Sequence, residues 1–218
     1  MEIRQWVVNA FTQECFGGNP AAVCLLDREI DDAAMLSIAR QNRYSETAFV
    51  VEAGSGPLLR WFTPAKEVDL CGHATLATAW VLFHELGRHG EIVFRTRDAG
   101  PLKVVLEDQT IWMDFPSRPP RKIECSDRIR QLTGLRPVEA WLARDLLLVL
   151  EHPDQVRDYV PDFAGLRELT EFFAVVPTAP DGDSGFVSRY FAPNAGIDED
   201  PVTGSSHCTL IPFWADRL

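Results

Sequence analysis

Two stretches of this chain nearly repeat each other. Arg60-Trp61-Phe62-Thr63-Pro64 is echoed by Arg189-Tyr190-Phe191-Ala192-Pro193. Each is followed by an acidic loop and then by a glycine that opens a helical pattern, Gly72-His73 in the first case and Gly204-Ser205 in the second. A short match alone is within chance. Its recurrence in one strand–loop–helix setting predicts two related half-molecules. A chain of 218 residues accommodates two such halves at ordinary domain size. The polar, proline-rich stretch 116–122 supplies the boundary, dividing the chain into residues 1–116 and 117–218.

Apolar patterning and turn residues place the elements. Strands are predicted over 3–11, 22–26, 46–52, 58–62, 92–97, 102–106 and 111–115 in the first half. Gly17-Gly18-Asn19-Pro20 reads as a turn. Asp31 caps a helix running to about Tyr44, and a long helix runs from Gly72 to Leu86, stopped near Gly87. In the second half, Ser126 caps a short helix ending at Gly134. Strands follow over 138–142, 146–150, 172–176 and 186–191, and a last helix starts near Gly204 or Ser205.

The repeat constrains chemistry as well as fold. Each half presents a helix N-terminus behind a polar loop, and unsatisfied N–H groups at such ends favour an anion. Two halves face to face would aim both ends into one cleft, suited to a small carboxylate and to charge developing on it during carbon deprotonation. The formal net charge of −11 speaks against a nucleic-acid partner, which wants a basic stripe. It does not oppose a small anion held by local donors. The most apolar stretch, 74–83, is far too short to span a bilayer, so no membrane partner is expected. The first residues carry no secretory pattern, and the five cysteines form no CxxC pair; reduced thiols in a cytoplasmic protein are the simplest reading. No zinc-like spacing, P-loop or dinucleotide fingerprint is present in the sequence.

Three segments carry the candidate site: Tyr44-Ser45-Glu46-Thr47-Ala48-Phe49, Asp69-Leu70-Cys71-Gly72-His73-Ala74-Thr75, and Asp198-Glu199-Asp200-Pro201-Val202-Thr203-Gly204-Ser205-Ser206-His207. Together with Phe16-Gly17-Gly18-Asn19-Pro20-Ala21-Ala22-Val23, they resemble, in order and over about residues 3–214, the PhzF family of phenazine-biosynthesis isomerases. The resemblance implies an α+β fold of diaminopimelate epimerase type, two similar halves each with a mixed, largely antiparallel sheet around a central helix. It implies proton transfer without a cofactor or metal. The best-known family activity isomerises trans-2,3-dihydro-3-hydroxyanthranilate by moving a proton between ring carbons. Carried over by motif, Glu46 would shuttle the proton, with His73 and Asp200 positioning the substrate and tuning Glu46. Asn19, Ser45, Gly72, Gly204 and Ser205 would bind substrate. A homodimer is expected by the same resemblance. Family members usually continue beyond the position matching Trp214–Leu218, so the second half is expected to be short of strands, with an unpaired sheet edge.

Each of these residues has a plainer reading. A glutamate at a strand start is usually solvated, His73 could merely pack at its helix start, Asp200 before Pro201 is a common turn, and Ser205 could be only a cap. Cys71 fits the first of two cysteine positions used by related racemases, but the second is filled by Asp200, and Cys208 lies too far into its helix. A two-thiol racemase is therefore disfavoured; an amino-acid racemase or epimerase using a related cleft is the second enzymatic reading, a non-catalytic binding module on the same fold is the third, and Cys71 as a participating base is a separate alternative.

Overall fold

The computed structural model describes residues 2–52, 54, 56–183 and 185–218. They form two compact units. The first comprises residues 1–116 with Val202–Ser205, the second 117–201 with 206–218. The loop 202–205, assigned from sequence to the second half, thus packs with the first unit.

The first unit runs β1 (Arg4–Ala10), β2 (Asn19–Leu26), α1 (Asp32–Asn42), β3 (Glu46–Val51), β4 (Leu58–Phe62), β5 (Glu67–Val68), α2 (Gly72–Trp80), β6 (Glu91–Phe94), β7 (Leu102–Glu107) and β8 (Thr110–Asp114). The first five strands lie in the order β1-β2-β3-β4-β5. Only β2 and β3 are parallel, and α1 supplies the crossover that a parallel pair requires. The antiparallel β6-β7-β8 sheet continues from β4 through backbone bonds between Leu59 N–H and Arg95 C=O (2.8 Å) and between Arg95 N–H and Pro57 C=O (2.9 Å).

Strands β2 and β3 are buried on both faces, which their unbroken apolar runs dictate. On one face Cys24, Leu26, Phe49, Val51 and Phe62 pack with Met35 and Ala39 of α1, and Phe49 meets Phe62 edge to face at 5.6 Å. Helix α2 packs against β1, β2, β3 and β8. All of it is buried except Leu76 and Trp80, a degree of enclosure that its Gly, Ala and Thr residues permit by letting strand backbones approach closely. Between β1 and β8 a groove of about 910 Å³ remains, lined by Val7, Phe11, Leu76, Trp80, Ile111 and Met113 among others.

The second unit runs β9 (Arg121–Ile123), α3 (Asp127–Thr133), β10 (Glu139–Leu142), β11 (Leu146–Val149), α4 (Pro153–Arg157), α5 (Phe163–Arg167), β12 (Val175–Asp181), β13 (Gly185–Ser188), β14 (Tyr190–Ala192), β15 (Ile197–Asp200) and α6 (His207–Ala215). Its sheet is ordered β15-β14-β12-β11-β10-β9, with β13 beside β12. The pairing from β10 through β11, β12 and β14 to β15 is antiparallel, parallel, antiparallel, antiparallel, the same sequence as β1 through β5. Helices α4 and α5 occupy the crossover that α1 fills in the first unit. Residues alternate as a two-faced sheet requires. Leu146 and Leu148 pack with Ile129, Val156 and Leu166, while Leu147 and Val149 pack with Phe213 and Trp214 of α6. Pro212 inside α6 cannot donate to the carbonyl four residues back, and the Arg118 N–H takes that Cys208 carbonyl at 2.7 Å.

Several local expectations are corrected. Asn19 and Pro20 are not turn residues but open β2, and the positive φ of Gly18 (68°) makes the bend before them. A Cβ on Gly18 would lie 2.1 Å from the Ala10 carbonyl oxygen, so the bend admits only glycine. The long helix from Gly72 is α-helical only to Trp80 and continues as a π-helical turn over Val81–Glu85. The stretch predicted as a strand from 172 begins at Val175 and extends to Asp181, and 186–191 is divided between β13 and β14. The boundary stretch 116–122 contributes the first residues of β9.

Candidate active site

The parallel pair β2–β3 and the start of α2 bring five side chains together in the first unit. Ala21 lies opposite Glu46 in the β2–β3 register, so Asn19 and Ser45 sit at the same end of neighbouring strands. His73 is the second residue of α2 and is almost wholly enclosed. Its Nε2 lies 3.3 Å from Glu46 Oε2 and 3.2 Å from Ser45 Oγ. Its Nδ1 lies 3.3 Å from Asn19 Nδ2 and 3.5 Å from Cys71 Sγ. Asn19 also donates to the Val202 carbonyl (3.1 Å) and accepts from Ser45 Oγ (3.2 Å). Burial disfavours the imidazolium and brings the His73 pKa down to about 4, so the ring is neutral at physiological pH. Glu46, expected from its residue type alone to be solvated, is buried at 7% exposure.

The helix start itself is built for an anion. Cys71 is the N-cap of α2 and makes no side-chain capping bond, which leaves the first-turn N–H groups to other acceptors. Gly72 and Gly204 meet backbone to backbone. A Cβ on Gly72 would lie 2.7 Å from Gly204 Cα and 3.1 Å from Ser205 N, closer than real contacts allow. Glycine at both positions is therefore what brings the 202–205 loop against the start of α2. Asn19, Ser45, Glu46, Gly72, His73, Gly204 and Ser205 all belong to the first unit. Asp200 belongs to the second, where it ends β15 opposite Tyr190 and is buried.

Glu46, Cys71 and His73 each offer a ligand atom, all within 4.8 Å of one another. A Cys/His/carboxylate set of this kind is one that zinc accepts. Cys71 and His73 stand two residues apart at the α2 start but Glu46 comes from β3, so residue spacing gave no sign of the set. The sequence reading also missed Val202, whose contribution is a backbone carbonyl and so leaves no residue-type signal. Among the described residues no helix is long and apolar enough to cross a membrane.

Residues 8–218 match the PhzC-PhzF family, described as phenazine biosynthesis-like protein. A Pseudomonas aeruginosa protein named as an uncharacterized isomerase is 46% identical over 219 residues, covering 100% of this chain and 84% of the relative. A crystal structure of a PhzF family protein from Enterococcus faecalis superimposes with a TM-score of 0.87 at 43% identity, over 100% of this chain and 84% of that one. At 10% identity, a hydroxyproline epimerase from Agrobacterium vitis superimposes with a TM-score of 0.63 over 99% of this chain and 77% of that one. This last likeness shows the fold alone, and with the others it establishes the α+β epimerase-type architecture expected from the sequence.

Proposed function

We propose, from the premise that this chain belongs to the PhzF family, that it is an isomerase that moves a proton between carbons of a small cyclic or unsaturated carboxylic acid. The observation that carries this reading is the buried Glu46 carboxylate held 3.3 Å from a neutral His73 beside an uncapped helix start. Glu46 takes a proton from carbon and becomes a carboxylic acid; the electron pair delocalises over the substrate's unsaturated system. A proton returned from that carboxyl group, which exchanges with solvent during its stay, to a different carbon shifts the double bond and restores the carboxylate. No oxidant or external base is consumed. A shuttle of this kind needs a carboxyl group withdrawn from solvent beside the bound substrate, and Glu46 is buried with His73 Nε2 at 3.3 Å. The first-turn N–H groups of α2, the Ser45 backbone N–H, Gly204 and Ser205 bind the substrate's anionic end. Asp200 serves as a second carboxylate tuning the transfer, a role that rests on the motif resemblance.

Incubating candidate acids with the protein in deuterated water tests the reading. Deuterium enters the product at the carbon that receives the proton, a Glu46→Gln variant loses this incorporation, and a chelator leaves it unchanged. Incorporation at the parent rate by Glu46→Gln would overturn the assignment.

One observation favours a second reading. Cys71 Sγ stands 3.5 Å from His73 Nδ1 at the α2 start, where a racemase would place a thiol base. Under that reading deuterium appears at a stereocentre without movement of a double bond, and Cys71→Ala is inactive.

A further inference from the structure

The geometry points to Asn19 as a positioning residue that fixes His73 in the Nε2–H tautomer, so that the protonated edge of the ring, not a lone pair, lies beside Glu46. This rests on Glu46 being the proton shuttle, and it changes what Asn19 does: its side-chain amide is directed to the histidine, not to substrate.

The argument follows hydrogen-bond polarity around the cluster. The Val202 carbonyl can only accept, and it lies 3.1 Å from the Asn19 amide. The group facing it must therefore be the NH₂, because the opposite orientation would set two oxygens against each other. With Nδ2 so placed, Oδ1 faces Ser45 Oγ at 3.2 Å, and the serine must spend its one hydroxyl proton on that bond. Ser45 Oγ is then an acceptor toward His73 Nε2, 3.2 Å away, which requires a proton on Nε2. A neutral ring carries one N–H, so Nδ1 is bare, and it meets the remaining Asn19 N–H at 3.3 Å. The circuit closes without conflict, and the Cys71 thiol at 3.5 Å joins it as a further donor toward Nδ1. The reverse tautomer would set Nδ1–H against the Asn19 N–H and leave both Ser45 and Glu46 facing a lone pair. All the groups involved belong to the first unit.

A backbone carbonyl thus sets the polarity of a catalytic histidine through one amide. The consequence for the reaction is orientation. The protonated Nε2 edge lies 3.3 Å from Glu46 Oε2, so the ring presents its positive side, not a lone pair, to the carboxylate when it is ionised.

The test is direct and needs no substrate. In protein labelled with ¹⁵N in the histidine rings, two-bond nitrogen–proton correlations report which nitrogen carries the proton, with a His73→Gln variant assigning the signal. The expected result is the Nε2–H pattern. In Asn19→Asp, of equal size but with no N–H to give, the proton moves to Nδ1. The same variant loses on the order of 10²-fold in kcat with KM little changed, since Asn19 does not touch substrate. An Nδ1–H pattern in the parent protein, or an unchanged Nε2–H pattern in Asn19→Asp, overturns the inference. An Nε2–H parent alongside a fully active Glu46→Gln would instead overturn the reading of Glu46 and leave the tautomer assignment standing.

Discussion

The two units carry the same hairpin and put it to different ends. In the first, Arg60 grips Glu67 through two bonds of 2.7 Å and lies over the Phe62 ring at 5.1 Å. In the second, Arg189 grips Glu199 at 2.7 and 2.9 Å and lies over Phe191 at 4.9 Å. The strand directions around both hairpins are the same. What differs is the residue at the head of the neighbouring parallel pair. In the first unit Phe62 pairs with Thr47 and Glu46 precedes it; in the second Phe191 pairs with Val175 and Ala174, a buried apolar residue, precedes it. One scaffold therefore places a carboxylate where its counterpart completes a core. The proton-transfer chemistry we propose is an addition to one copy of the repeat, and no property of the fold requires it.

The comparison can be broken most decisively at that pair. Glu46→Gln is expected to lower turnover by about 10²–10⁴-fold, the range that a positioned acid–base group contributes. Ala174→Gly is expected to leave turnover near the parent value and to cost roughly 1 kcal/mol of stability through lost backbone restraint, read from urea unfolding. Equal losses of turnover in the two variants would mean that the halves share the chemistry.

Next comes the histidine. Its counterpart in the repeat, Ser205 after Gly204, does not titrate in this range. His73 does, with its pKa brought from 6.5 in the unfolded chain to about 4 by burial. Between those values the unfolded chain binds the extra proton. Stability is full above about pH 6.5 and falls as the pH drops toward 4, by about 3 kcal/mol in all, with no further loss from this group below that. Denaturant unfolding across this window should show the slope, and His73→Gln should flatten it.

The smallest difference separates the two arginines. The Arg60 side chain is 2% exposed and reaches Asp32 as well as Glu67, whereas the Arg189 side chain is 24% exposed. Arg60→Met should cost about 2 kcal/mol because it removes both of its bonds to Glu67 in a mostly enclosed site and leaves that carboxylate to Arg97. Arg189→Met should cost roughly 1 kcal/mol, since Glu199 can turn to water. Thermal unfolding of the pair measures the contrast.

Much of this was legible in the residues, and the exceptions have physical causes. The apolar runs of β2, β3 and β11 could only be buried strands, and Asp31, Ser126 and Gly134 marked helix ends by capping chemistry. Strands β5 and β15 were hidden because Glu67 and Glu199 read as loop acids. Each is held in a strand by an arginine distant in the sequence. Pro177 and Pro180 masked most of β12 by looking like breakers. At the site, the candidates Asn19, Ser45, Glu46, Gly72 and His73 were found from their motifs. Their mutual arrangement was not, because it depends on the Val202 carbonyl and on a glycine–glycine approach that no residue pattern reports.

The enclosure of α2 has a consequence on a slower clock. Strands pack around this helix, so solvent reaches the amides of Ala77 and Thr78 only when the surrounding sheet opens. Those of β1, a sheet edge, are released by local fraying. Deuterium uptake at Ala77 and Thr78 therefore times the opening of the entire first unit. The lifetime of the His73 site against proteolysis or denaturant is that same interval.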